Sequence, residues 1–201
     1  MPLTAFDHAR RDSNKIALTF DDGPNPFYTG KILDILDEQN IKANFFVLGK
    51  WAELYPDILK ETFDRGHLVG NHGYAHSKET GEFEKTDGIV PKITGKLPKF
   101  IKAPYFKNEL TQNYSRVQKG EAMIANNDVV AGDWEKPAED IFKEIINKTQ
   151  NGSFILLHDG SWRPEEQETR PAQMFAALPK IISNLKEKFE FVRLDEMDFD
   201  I

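Results

Sequence analysis

Cysteine is absent from the 201 residues of this chain. That excludes a disulfide framework and any thiolate metal site, so a transition metal here must be held by histidine and carboxylate. Basic charge is short as well: 26 lysines and arginines stand against 33 acids, a formal net charge of −7. The basic residues are scattered rather than clustered, which argues against a nucleic-acid partner. No apolar run approaches the length of a membrane helix, so no membrane span is expected. The opening residues, MPLTAFDHARRDSNK, lack the apolar centre of a signal peptide, and no export signal is expected in this chain. Internal repeats, low-complexity tracts and linkers are also missing. What is present is 39% hydrophobic and 11% aromatic. That supplies a sizeable core, and the length suits one domain over 1–201. A monomer is the expected state.

Short apolar runs alternate with helical patterns along the chain. KIALTF (15–20), ANFFVLG (43–49), HLVGN (67–71), KFIKAPY (99–105), MIANNDVV (123–130), SFILLHD (153–159) and FEFVRL (189–194) read as about seven strands. Helical spacing appears in 29–40, 52–66, 138–149 and 171–188, with Gly66 as a stop signal for the second. The stretch 78–98 is poorly patterned and reads as a loop with one short helix. Strand–helix alternation implies a parallel sheet with helices outside. The expected fold class is α/β, a distorted (β/α) barrel of about seven parallel strands. Reactive groups in such folds gather at the carboxyl ends of the strands.

Polar residues at those ends form one chemical set. Asp21 and Asp22 follow the first strand in LTFDDGP, and His72 and His76 follow the third in NHGYAH. Lys102 and Tyr105 lie at the fourth in KAPY, Asp133 and Trp134 follow the fifth in GDW, and Leu156 and His158 end the sixth in LLHD. Two histidines spaced H-x-x-x-H can meet one ion, and a carboxylate from elsewhere makes a third ligand with a position left open for water. A dication beside the adjacent aspartates removes their repulsion, so that one can bind metal while the other stays free as a base. Gly23 permits a turn that other residues would strain, and Pro24 stiffens it. Taken singly, each feature is what a solvated turn, a surface histidine pair or core packing would give. The weight lies in five strand ends agreeing on one chemistry.

ALTFDDGP, GNHGYAH, KAPY, GDW and ILLHD, in that order, resemble the polysaccharide deacetylases of carbohydrate esterase family four, which share the NodB-homology domain. The similarity runs from about residue 15 to 195 and includes ILDILDEQNIKANFFVLG. The resemblance implies a metal-dependent hydrolase that releases acetate from an N-acetylated glycan such as peptidoglycan or a chitin-like oligomer. It implies Asp22, His72 and His76 as ligands of Zn2+, or of another divalent transition metal such as Co2+ or Ni2+. Asp21 would be the general base, His158 the general acid, and Asp133 the group that orients and charges that histidine. Leu156 and Trp134 would wall the pocket for the acetyl methyl group, and the Tyr105 backbone N–H would face the oxyanion. A cell-envelope or extracellular setting is implied by the substrate class.

This chain departs from the family pattern at four places. Gly73 stands where Ser or Thr is usual, and Ser77 where Pro is usual. Lys102-Ala103 replaces Arg-Pro, and lysine keeps the charge that holds the base while losing the planar two-pronged donor. The segment between His76 and Lys102 is shorter than usual and is expected to border the cleft. Trp162, Tyr74, Phe106 and, more weakly, Trp51 are candidates for stacking on sugar rings. Competing readings on the same constellation are an O-acetyl xylan esterase, a small-amide hydrolase and a non-catalytic glycan-binding module. The last is disfavoured because Asp21, Asp22, His72, His76 and His158 are all present.

Overall fold

The apolar run Lys15–Asp21 lies at the middle of a parallel sheet and is buried from Ile16 onward. The computed structural model describes residues 5–199; the first four residues of the opening segment and the last two of the chain lie outside that range. The chain runs through β1 (Ala5–Phe6), β2 (Lys15–Asp21), α1 (Thr29–Glu38), β3 (Asn44–Val47), α2 (Gly49–Leu54), α3 (Pro56–Asp64) and β4 (Leu68–Asn71). It continues with α4 (Glu82–Asp87), α5 (Val90–Thr94), β5 (Phe100–Ile101), α6 (Ser115–Gln118), β6 (Met123–Ala125), β7 (Val129–Val130) and α7 (Ala138–Lys148). Last come β8 (Phe154–His158), α8 (Ala172–Leu185) and β9 (Glu190–Phe191).

The sheet order is β1-β6-β5-β4-β3-β2-β8-β7, with β9 pairing the start of β2. Every strand pair is parallel. The sheet curls into a distorted half-barrel with helices around it, in agreement with the expected class. Its two edges are β1 and β7, and Arg11, in the segment after β1, pairs with Asp128, just before β7, at 2.8 Å.

Alternation along the strands decides what faces where. Ile16, Leu18 and Phe20 of β2 pack outward with Phe45, Ile155 and Leu157 against α1, α7 and α8. Ala17 packs inward with Phe46, Phe100 and Phe154, so Thr19 and Asp21 share that inner face. Register then aligns the strand ends: Asp21 lies opposite Phe46 and His158, and Asn71 opposite Val47 and Ile101. The helices obey their apolar spacing. Leu178, Ile181, Ile182 and Leu185 of α8 and Ile141 and Ile145 of α7 are buried on the sheet.

Four expectations need correction. The helix expected over 52–66 is two, because Pro56 opens α3 and Tyr55 before it sits at φ −126°, ψ 57°, outside the helical region. The strand expected over 123–130 is also two. Asn126-Asn127-Asp128 turns the chain so that β6 pairs with β5 while β7 crosses to β8. Segment 78–98 holds two short helices rather than one. Nine strands are present among the described residues instead of about seven; β1, two residues long, leaves no apolar run to read.

Candidate active site

Asp21 closes β2, and Asp22 turns off it with φ 72°. Both carboxylates are buried. The turn is tight against the strand end of β8: a methyl group on Gly23 would sit 2.2 Å from Asp159 Oδ2, and one on Gly160 would sit 2.5 Å from Asp22 O. Glycine is therefore required at both positions by close packing. Asp159 is itself buried, accepts a hydrogen bond from Thr29 Oγ1, and is pushed up to about 7, chiefly by burial.

Asp22, His72 and His76 converge. His72 Nε2 is 3.6 Å and His76 Nε2 3.7 Å from the same oxygen, Asp22 Oδ1. That oxygen is buried and has no hydrogen-bond partner, a costly arrangement unless a cation satisfies it. A four-coordinate zinc with bonds of about 2.0–2.1 Å holds its ligand atoms roughly 3.4 Å apart, so the donor set fits such an ion. His72 Nδ1 lies 2.8 Å from Lys102 O, which directs Nε2 to the site. Burial, reinforced by Lys102, pushes His72 down to about 3, and burial followed by His72 pushes His76 down to about 2. Both rings are thus neutral, the form that ligates. Burial pushes Asp22 up to about 6, opposed by His158 and aided by Asp21.

Asp21 has a different environment. Lys102 follows β5 with its own N–H donated to Asn71 O at 2.9 Å, and its side chain is buried in the half-barrel. Its Nζ donates to Asp21 Oδ1 at 2.8 Å and to Thr19 Oγ1 at 2.9 Å, over the ring of Phe46. Burial lowers the Lys102 pKa, and the charge of Asp21 works against that. Across the cleft, His158 Nδ1 is 2.9 Å from Asp133 Oδ1, while the other oxygen of Asp133 accepts the His158 backbone N–H at 2.7 Å. Burial alone would lower His158. Asp133, by charge and hydrogen bond, then Asp22 and Asp21, outweigh it and push His158 up to about 9.

Asp21, Asp22, His72, His76, Lys102 and His158 line one cleft of about 260 Å³, with Ala103, Tyr105, Phe106, Trp134, Leu156 and Trp162 around them. The indole of Trp134 meets His158 edge-on at 5.3 Å, and Trp162 lies parallel to His76 at 5.8 Å. Tyr105 and Phe106 are exposed at the mouth, and both adopt positive φ. Two aromatic candidates lie elsewhere. Trp51 is buried and donates its indole N–H to Ser161 O at 2.9 Å, and Tyr74 bonds Glu53 through its hydroxyl under Lys85. No residue of the short segment after His76, 77–101, lines the cleft itself, and Lys78 lies over the ring of Tyr105 at its mouth, 5.5 Å from the centroid. Sequence reasoning missed Arg170, which lines the cleft and is braced by Glu166 at 3.0 Å. It also missed Asn127, which donates to Thr19 Oγ1 at 3.0 Å, and Glu82, which grips the histidine loop. None of these three lies in a strand-end motif.

A family model described as polysaccharide deacetylase matches residues 8–120. The chain is 36% identical over 194 residues to a peptidoglycan-N-acetylglucosamine deacetylase of Bacillus cereus, covering 91% of this chain and 68% of that protein. It is 34% identical over 167 residues to a chitooligosaccharide deacetylase of Rhizobium leguminosarum bv. trifolii, covering 77% of this chain and 76% of that protein. Among solved structures, the Bc1960 peptidoglycan N-acetylglucosamine deacetylase is similar with a TM-score of 0.84 at 34% identity, over 96% of this chain and 92% of that one.

Proposed function

The chain belongs to the polysaccharide deacetylase family, and from that premise we propose that it hydrolyses the acetamide of an N-acetylglucosamine unit in a cell-envelope glycan, releasing acetate. The observation that carries this reading is a carboxylate paired with a lysine and a histidine paired with a carboxylate, facing each other across one cleft. Lys102 Nζ donates to Asp21 Oδ1 at 2.8 Å on one side, and Asp133 pairs with His158 Nδ1 at 2.9 Å on the other, raising that histidine to about 9.

Asp22, His72 and His76 are the residues that would hold the metal, Zn2+ or a related dication such as Co2+ or Ni2+. Bound there, the ion supplies Lewis acidity, which polarises an amide carbonyl and lowers the pKa of water from 15.7 towards about 7. Asp21 takes the proton of the attacking water at its carboxylate, and Lys102 Nζ, 2.8 Å from Oδ1, orients that carboxylate. The backbone N–H of Tyr105 faces the developing oxyanion; a donor in that role is worth about 10²–10³ in rate. His158 then gives its proton to the leaving amine nitrogen, and Asp133 stabilises the imidazolium until it does. Leu156 and Trp134 wall the space for the acetyl methyl group, and Trp162 and Phe106 offer ring faces to the glycan.

Acetate release from an N-acetylglucosamine oligomer, measured with added zinc and after chelation, tests the reading. Release that chelation abolishes and zinc restores is expected. Release that survives complete chelation would overturn the metal-dependent reading, and no release from peptidoglycan or chitin oligomers would overturn the N-deacetylase one.

A further inference from the structure

The loop that carries His76 is gripped from outside itself. Gly73 and His76 have φ of 82° and 60°, which leaves the backbone N–H groups between and after them without partners in any helix or strand. Glu82, at the start of α4, meets them with one oxygen. Its Oε2 accepts from Tyr74 N at 3.1 Å, Ala75 N at 2.7 Å and Ser77 N at 3.3 Å. The loop carbonyls are held from the opposite side, where Gly49 N and Lys50 N at the start of α2 donate to Gly73 O and Tyr74 O at 3.0 and 3.1 Å. Asn71 adds a strut. Its Oδ1 accepts from Gly73 N at 2.8 Å, and its Nδ2 donates to Phe83 O and Asp87 Oδ1 at 2.9 Å.

Side chains of the loop do not do this work. Gly73 has no hydroxyl to offer, and Ser77 Oγ instead accepts from Glu79 N at 3.2 Å. A carboxylate that accepts several N–H groups makes charge-assisted bonds, stronger than those a neutral hydroxyl could form.

We propose that Glu82 is a positioning residue for the metal ligands: by ordering the backbone of 74–77 it sets His76 Nε2 beside Asp22 Oδ1. The role rests on the metal-site reading above. Glu82 is not one of the three converging ligands; it acts through the loop. Groups that orient metal ligands typically cost 10–100-fold in metal affinity when removed.

The test is a zinc dissociation constant, read by chelator competition, for the wild type and for Glu82→Ala, Glu82→Gln and His72→Ala. Glu82→Ala is expected to raise the constant about 10–100-fold while KM at saturating zinc stays within about twofold of wild type. Glu82→Gln keeps an acceptor oxygen of the same reach and is expected to recover most of the affinity. Wild-type affinity in Glu82→Ala would overturn the role. Should that variant fail to fold, Glu82→Asp carries the test, since withdrawing the carboxylate by one methylene must weaken zinc binding and unchanged affinity overturns the proposal. His72→Ala separates the two readings. If it binds zinc like wild type, the metal site itself is wrong; if it loses zinc while Glu82→Ala does not, only the role of Glu82 falls.

Discussion

The ammonium of Lys102 lies 2.8 Å from Asp21 Oδ1 inside the half-barrel, with each side chain almost wholly buried. The pair is a charge balance: either partner alone would be an ion stranded among Phe46 and the neighbouring strands. Breaking a buried pair by removing one member typically costs about 3–5 kcal/mol. Lys102→Met is therefore expected to lower unfolding stability by about that amount. It should also cut kcat/KM by about 10²-fold or more, because the carboxylate proposed as the base loses the hydrogen bond that orients it. Denaturant titration and steady-state kinetics check both, and a Lys102→Met enzyme of wild-type rate would end the pairing argument.

The two aspartates of the turn should separate by metal content. Asp21→Asn is expected to retain zinc and lose activity by about 10²–10⁴-fold, the range for a general base. His72→Ala is expected to lose both. Metal analysis beside acetate release distinguishes them; loss of zinc from Asp21→Asn would move Asp21 into the coordination shell.

On the proposed mechanism, His158 sets the alkaline limit of activity. Its pKa is raised to about 9 because Asp133, with Asp22 and Asp21, outweighs burial. A raised histidine pKa contributes stability fully below the unfolded value near 6.5, and that contribution is lost as pH rises through 9. The protonated acid disappears over the same window, so kcat/KM is expected to fall above about pH 9. Asp133→Asn removes the largest raising influence and leaves burial acting downward, so the limb should move to lower pH. A pH–rate profile whose limb does not move would remove Asp133 from that role.

Much of the site was legible because its chemistry is short-range in sequence. Asp21-Asp22, the H-x-x-x-H pair and His158 sit at ends of apolar runs, and parallel register brings such ends together whatever the loops do. Lys102 was legible as a partner of Asp21 only through the family resemblance. Structure adds the reason it can reach: inward alternation puts Thr19, Asp21 and Phe46 on one face, and the lysine stem lies along them. Glu82, Asn127 and Arg170 were not legible. Each acts through a contact made by folding, and a lone Glu, Asn or Arg between motifs resembles any solvated residue. The fold misreadings have local causes. Pro56 divides a continuous apolar pattern, and Asn126-Asn127-Asp128 redirects one apolar run to two different neighbours.

His67 contributes to the loss of stability in acid from outside the cleft. Its ring is buried, its Nδ1 accepts the backbone N–H of Ala43 at 3.1 Å, and its Nε2 is buried without a partner. The ring is thereby locked in the neutral form. Burial first, then Lys42, push its pKa down to about 4. The unfolded chain takes up a proton near pH 6.5 that the folded chain refuses until about 4, so stability falls as pH drops through that window. A shift of this size corresponds to about 3 kcal/mol when fully expressed, of which about 2–3 is expressed by pH 4. Asparagine at this position can still accept the Ala43 N–H but does not titrate. His67→Asn is thus expected to be less stable than wild type at pH 7, from lost packing, with the difference shrinking by about 2–3 kcal/mol at pH 4. His72, His76 and every other titrating group are common to both proteins, so urea unfolding of the pair at the two pH values isolates His67. A difference that stays constant with pH would mean that the ring accepts a proton in the folded state as readily as in the unfolded one.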